Sequence, residues 1–448
     1  MATEVDRRTF IALLGATVLA RTAVASTAAA ATGMPHIDAA RLQSTLEQLS
    51  AFGRPAGGAF ADGVSRIAYS DADIAGRNFA MELMRQAALE PRIDAAGNIT
   101  VRREGTDRSL KPIVMGSHID SVPGGGNFDG QVGSMAAIEV VRTLIDHGVA
   151  TRHPLEVTLW SAEEGGPIGS GAVVHDVPEA ALERKLNGMI MRDGVRRIGG
   201  DPEHIARARR APGSLHCYLE LHIEQGGTLE KQGVPIGVVD GIVGIDEYDV
   251  EIRGFANHAG TTAMADRKDA LLAAAKLVEA VREIATRTPG RQVGTVGRFE
   301  VFPNAPNVIP GLVKLSVEIR DLSAATVERL GAEISERAQQ IAKQTDTEIS
   351  MVRGWRDDPA LAHPEIQKEI EGAAATLGLK TMHLPSGAGH DAQNLAKLGP
   401  MGMIFVPSIG GISHSPKEFS RWSDCANGAN VLLQTVLRVD RITLKAAV

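Results

Sequence analysis

From residue 36 onward, apolar and polar positions follow two different periods, and the chain switches between them in a regular order. Ile37, Leu42, Leu46 and Leu49 recur at near-helical spacing, which predicts a helix over residues 36–53. Ile74, Phe79, Leu83 and Met84 repeat that spacing over 70–88, with Ser70 placed to cap the N-terminus. Short apolar runs at 99–101, 113–116 and 155–160 read as buried strands, and a helix over 133–147 separates the last two. This alternation predicts a largely parallel sheet covered by helices on both faces. From about residue 246 the order changes. A strand at 248–252, an Ala-rich helix at 266–286, strands at 293–301 and 313–319, a helix at 324–344 and a strand at 347–352 give βαββαβ, the order of a ferredoxin-like module. The first rhythm returns with a helix near 363–377, a strand near 403–406 and a last helix over 424–439. The expected fold is α/β, with a main unit over 36–245 and 354–448 and an inserted α+β unit over 246–353.

Composition narrows the picture. The chain has 48 glycines but only 4 % aromatic residues, so its core must be packed from Ala, Val and Leu between tight turns. A net charge of −7 gives no basic surface for nucleic acid or an anionic membrane. Cys217 and Cys425 are the only cysteines. Two thiols make no disulfide framework and match no cysteine zinc motif, so both read as packing residues, with one long-range bridge as the alternative. Arg7-Arg8 precede an apolar run over 9–20 and small residues through Ala31. This predicts a Tat-type export signal over 1–31 and a periplasmic location, against the alternative of an Ala-rich tail. No later apolar run reaches membrane-spanning length.

Five blocks carry the chemistry: Gly116-Ser-His-Ile-Asp120, Asn127-Phe-Asp-Gly130, Ser161-Ala-Glu-Glu-Gly165, Glu220-Leu-His-Ile-Glu-Gln-Gly226 and Gly411-Ile-Ser-His414. Imidazoles and carboxylates together suit borderline divalent metals such as zinc. His118 and Asp120 sit two apart after an apolar strand, so both can face one side, with Asp120 holding the far ring nitrogen of His118. Asp129 follows a glycine turn and can bridge two metals. Adjacent residues at a strand end face different ways, so Glu163-Glu164 can supply a ligand and a base for metal-activated water. His222 lies in a strand-like block, and His414 completes the set.

These motifs, with Asn257-His-Ala-Gly-Thr-Thr262, Pro303-Asn-Ala-Pro-Asn-Val-Ile-Pro310 and Gly387-Ala-Gly-His-Asp-Ala392, resemble the hydantoinase/carbamoylase group of amidohydrolases. That group lies within the aminoacylase and carboxypeptidase G2-like co-catalytic metallopeptidases, and the likeness spans about residues 36–440. The resemblance implies His118 and His222 on one metal and Glu164 and His414 on the other. It implies Asp129 as the bridge, Glu163 as general base and Asp120 behind His118. His258, Asn307 and Arg320 match substrate-contacting positions in the small unit, with Gln225, Gly389 and His390 as further contacts. It also implies a homodimer built through the small unit. Two departures bear on substrate: Gly166-Pro-Ile168 follows the Glu-Glu pair where many relatives have Ser-Arg-Phe, and Ile245-Asp-Glu247 is unusually acidic.

The expectation is a hydrolase with two divalent ions per subunit, zinc foremost and manganese, cobalt or nickel open. It would cleave the C–N bond of an N-carbamoyl (ureido) amino acid or a related small ureido or amide carboxylate. An aminoacylase, dipeptidase or carboxypeptidase is the runner-up. An exported binding protein and a structural dimerisation protein are the alternatives outside enzymes.

Overall fold

The computed structural model describes residues 33–166, 168–287 and 289–444. The proposed export signal lies outside the described residues. The chain begins with helices α1 (Ala39–Leu49) and α2 (Asp71–Gln86), then strands β1 (Ile99–Arg103) and β2 (Ile113–His118), helix α3 (Gln131–Asp146) and strands β3 (Leu155–Trp160), β4 (Cys217–Ile223) and β5 (Ile236–Ile242). A second set follows: β6 (Gly244–Arg253), α4 (Ala270–Arg287), β7 (Val293–Thr295), β8 (Phe299–Phe302), β9 (Leu312–Asp321), α5 (Ala324–Thr345) and β10 (Glu348–Asp357). The chain closes with β11 (Ala360–Leu361), α6 (Pro364–Thr376), β12 (Thr381–Ser386), β13 (Met401–Val406) and α7 (Trp422–Val439). Ser70 caps α2 as its sequence predicts, its Oγ accepting from the Asp73 N–H at 3.2 Å.

The large sheet is mixed. Its order is the short strand Arg92–Ile93, then β1-β3-β2-β4-β13-β5-β11, with β12 also pairing β5. The central strands β3, β2, β4 and β13 run parallel, while β1 and β5 are antiparallel to their neighbours in that group. Period-two alternation assigns residues to its faces. Ile113, Met115, Leu219 and Leu221 enter the core under α1, α3 and α7, while Val114, Tyr218 and Phe405 enter the core on the opposite face. The small sheet is antiparallel, in the order β7-β9-β6-β10 with β8 also on β9, and α4 and α5 pack on it around Leu277, Ile334 and Val317. The single strand expected at 293–301 is two, β7 and β8, on the same partner β9. Cys217 and Cys425 are buried free thiols, so the long-range bridge is not formed. No described helix is long and apolar enough to cross a membrane.

Candidate metal centre

Strand register brings the first two histidines together. β2 and β4 are parallel neighbours with Ile113 beside Cys217, and the same offset carries His118 to His222. Both end on the face that takes Val114 and Tyr218, and their rings stand 6.0 Å apart. Each ring is held from behind by a backbone carbonyl. His118 Nδ1 lies 3.0 Å from the Asp120 carbonyl, and His222 Nδ1 lies 2.9 Å from the Ile223 carbonyl. A carbonyl only accepts, so each Nδ1 carries the proton and each Nε2 turns its lone pair inward.

Both lone pairs meet Asp129. Its Oδ1 is 3.7 Å from His118 Nε2 and 3.1 Å from His222 Nε2, while its Oδ2 is 3.2 Å from His414 Nε2. Glu164 Oε1 lies 3.5 Å from the same His414 nitrogen, is buried and has no hydrogen-bond partner. One carboxylate therefore divides between two ligand groups, His118–Asp129–His222 and Asp129–Glu164–His414, each with donor atoms within 4.8 Å of one another. Gly130 shows how closely this space is kept: a Cβ there would stand 2.2 Å from His118 Nε2, and its φ of +70° lies in the left-handed region. The donor set, the unpartnered Glu164 oxygen and the space kept beside Nε2 all fit a pair of divalent cations.

Glu163 stands beside this set with Oε2 3.7 Å from His118 Nε2. Burial foremost, then the neighbouring Asp391, Glu164 and Asp120, hold its carboxyl well above the usual range, although His118 opposes them. Burial also pushes Glu164 up to about 7, with Asp129 adding to it. Asp129 goes the other way. Burial opposes this, but the surrounding imidazoles of His118, His222 and His414 outweigh it and keep the carboxylate ionised well below the usual range. His414, half exposed and bonded to Asp129, is raised to about 9.

Asp120 differs from its expected contact. Its carboxylate is 3.7 Å from His118 Nδ1 and accepts instead from the Glu163 and Glu164 backbone N–H groups, at 3.3 and 3.1 Å. The peptide carbonyl of Asp120 orients the imidazole, and its side chain orients the Glu-Glu turn. Gln225, expected at substrate, donates from Nε2 to Asp129 Oδ2 at 2.7 Å. His390 packs edge-on against His222 with ring centres 4.4 Å apart, and its Nε2 pairs with Ser386 Oγ at 2.8 Å. Gly389 is exposed beside it. Ala162, Gln225 and His414 all hold positive φ without being glycine, and all three lie in the loops of this site.

Arg320 is close by. It donates to Glu318 and to the Gly387 carbonyl, both at 2.7 Å, and so ties the small sheet to the loop that carries His390. Among the described residues, no hydrogen bond or ion pair joins His258 or Asn307 to the cluster. Both are exposed beyond the paired ends of β6 and β9, where the Asn307 carbonyl accepts from the Ala259 N–H at 2.9 Å. His258 Nδ1 accepts from the Gly260 and Thr261 N–H groups, which leaves the proton on Nε2.

Three buried groups were not foreseen. Glu418 accepts from the Phe128 and Asp129 N–H groups at 2.9 and 3.1 Å, and Ser413 Oγ lies 2.8 Å from both Glu418 and Asp129. Arg66 is fully buried and donates to the Ile119, Leu49 and Phe52 carbonyls, pinning the peptide between His118 and Asp120. Glu220, also fully buried, accepts from Ser117 Oγ at 2.7 Å and from the Ala392 N–H at 3.0 Å. Only Glu220 had a readable signal, two residues before His222 and therefore on the same face of its strand.

Residues 114–438 match the model of peptidase family M20/M25/M40. The chain belongs to that family. Among its relatives, an N-carbamoyl-L-amino acid amidohydrolase of Geobacillus stearothermophilus is 41% identical over 89% of this chain and 98% of its own length. A ureidoglycolate hydrolase of Arabidopsis thaliana is 34% identical over 90% of this chain and 87% of its own. A solved amidase of the hydantoinase/carbamoylase family from Burkholderia multivorans superposes with a TM-score of 0.82 at 34% identity, covering 92% of this chain and 99% of that one. Within the M20 family the chain stands with the hydantoinase/carbamoylase amidases.

Proposed function

We propose that the chain is a binuclear-metal amidohydrolase that cleaves the ureido C–N bond of an N-carbamoyl amino acid. The observation that carries this reading is the divided Asp129 carboxylate, with two imidazoles facing Oδ1 and a third facing Oδ2, beside a Glu163 whose Oε2 stands 3.7 Å from His118 Nε2. His118, His222 and Asp129 would hold one ion and Asp129, Glu164 and His414 the other; zinc suits this donor set, and manganese, cobalt or nickel would compete according to supply. When bound, the ions supply Lewis acidity and lower the pKa of water. Glu163 takes the proton of the attacking water and returns it to the leaving nitrogen, a role its raised proton affinity suits. Arg320 grips the substrate carboxylate in bidentate fashion, exchanging its bond to the Gly387 carbonyl for the ligand. His258, with its proton on Nε2, and the Asn307 amide donate to the developing oxyanion. The products are ammonia, carbon dioxide and the free amino acid.

Residues 1–31 direct export by the Tat route to the periplasm, and the mature enzyme is a homodimer through the small sheet. The exposed positions of His258 and Asn307 favour action on the partner's site.

The test is ammonia release by metal-loaded mature protein on N-carbamoyl amino acids, allantoate, ureidoglycolate and β-ureidopropionate, beside N-acyl amino acids, with Glu163→Gln as control. Release from an N-carbamoyl amino acid, reduced roughly 10²–10⁴-fold in the variant, supports the reading. Cleavage of N-acyl substrates alone would move the chain to the aminoacylase branch.

A further inference from the structure

At the opposite end of the central strands, where β2, β4 and β13 begin, a cavity of 1110 Å³ opens between the strand starts and the return from the small sheet. The metal ligands stand at the other ends of β2 and β4, so about 20 Å of strand separates the two places. Nothing in the amidohydrolase chemistry uses this cavity. Its floor is apolar, with Leu215, Leu398 and Met401 almost fully buried, and Leu361 on its rim is left 64% exposed. An apolar floor within a concave wall, with a few polar groups around it, is the setting small-molecule sites use.

The charge around the floor is one-sided. Lys111, Arg152 and Lys397 line the cavity, and none of the three forms an ion pair with a described residue. Glu365 is the only carboxylate side chain among the described lining residues. Lys111, Arg152 and Lys397 against Glu365 leave the lining net positive in a chain whose net charge is −7, with Asp107 in the field of Arg152 and Asp357 in that of Lys397 outside it. The first residues of α6, Pro364 and Glu365, also form part of the wall, and the Glu365 carboxylate in that first turn meets the positive end of the 13-residue helix itself. His153 and His216 stack at 4.0 Å on another side, where burial, and then His153, hold His216 below the usual imidazole range, so it offers a ring face at neutral pH.

We infer that this cavity is a second ligand site, separate from the metal centre, for a small anionic amphiphile: an apolar body on the Leu215–Met401 floor and a carboxylate or phosphate head at Lys111, Arg152 and Lys397. The head and the body are both required, because the floor alone would accept a neutral chain and the cations alone would accept a free ion. The ligand would touch Leu361 and Pro364, in the segment that leads back from the small sheet.

The test is calorimetric titration of the metal-loaded full chain with decanoate, decyl phosphate and decanol, repeated on the double variant Lys111→Glu/Lys397→Glu. The expected result is one saturable site for decanoate or decyl phosphate, at least tenfold weaker for decanol. In the double variant that site is weakened at least tenfold, while ureidohydrolase turnover is unchanged. The preferred head group separates a carboxylate source from a phosphate source, and binding of either supports the site. Equal binding of decanol, or anion binding indifferent to the double variant, would overturn the proposal. So would a site that appears only after residues 445–448 are removed, since the chain's own end would then be the occupant. Should the double variant misfold, Met401→Trp tests the same site by filling the floor, and unchanged anion binding in that variant would also sink it.

Discussion

Glu418 acts on the metal centre without touching an imidazole. Its Oε1 takes the N–H groups of Phe128 and Asp129, so the backbone that carries the bridging carboxylate hangs from one buried side chain. Groups of this kind, one bond behind the ligands, are commonly worth 10–100-fold in metal affinity. Glu418→Gln should therefore lower zinc affinity by about that factor, measured by competition with a chromophoric chelator, with little change in the melting temperature of the metal-stripped protein. An unchanged affinity would mean that Asp129 is held by its loop alone. The protons at the site give a second expectation. Without metal, burial and Asp129 raise Glu164 to about 7, and the bond to Asp129 raises His414 to about 9. A raised pKa means the group is still protonated below that pH, and a cation must displace those protons to bind. Apparent metal affinity should then climb as pH rises through 7 towards 9, with protons released on binding. Titration in buffers of different ionisation enthalpy counts them, and a flat profile from pH 6 to 9 would contradict the assignment of Glu164 and His414 as ligands.

At the scale of elements, α3 seats closely on β4, the strand that carries His222. The contact depends on Gly133, where a Cβ would stand 2.0 Å from the Leu221 carbonyl. Gly133→Ala must push the helix off the strand, and overpacking of this order costs about 1–3 kcal/mol. The melting temperature of the metal-free protein should fall by several degrees; a variant as stable as the parent would show that α3 can shift freely. The elements themselves were largely legible in the chain. The run over 155–160 is β3 to the residue, and Ser70 caps α2, because a buried strand and a capped helix are each specified by local spacing. The one long strand at 293–301 was not legible: Val296 to Arg298 interrupt it between β7 and β8, and no local period announces the break. The convergence of His118, Asp129, Glu164, His222 and His414 was legible as residue types at strand ends. What lay behind them was not. Glu418 and Arg66 act through backbone atoms 290 and 53 residues away, and such contacts leave no spacing in a sequence.

On the scale of the whole molecule, the open question is which metal centre His258 serves. It lies exposed beyond the end of β6, and no hydrogen bond or ion pair joins it to the metal-site side chains among the described residues. The same unit leaves Phe255, Met264, Val352 and Trp355 between 49% and 77% exposed, apolar area that a second copy would cover. If two copies associate through this unit and each lends His258 to the other, two inactive variants must complement. Glu163→Gln lacks the base and His258→Ala lacks the donor, so each homodimer is inactive. In a mixed dimer, the subunit with intact Glu163 receives His258 from its Glu163→Gln partner and is whole, while the other site lacks both groups. Random pairing makes half of the dimers mixed and leaves half of their sites whole, so activity should recover to about a quarter of the parent value. If His258 serves its own subunit, no site in any dimer is whole and mixing restores nothing. Co-expression of the two variants under separate tags, with purification through both, removes the homodimers and raises the expected recovery to about one half. A doubly tagged dimer that stays inactive, although each variant binds metal, would place His258 in its own subunit's site and make domain closure, rather than subunit exchange, the step that completes the active centre.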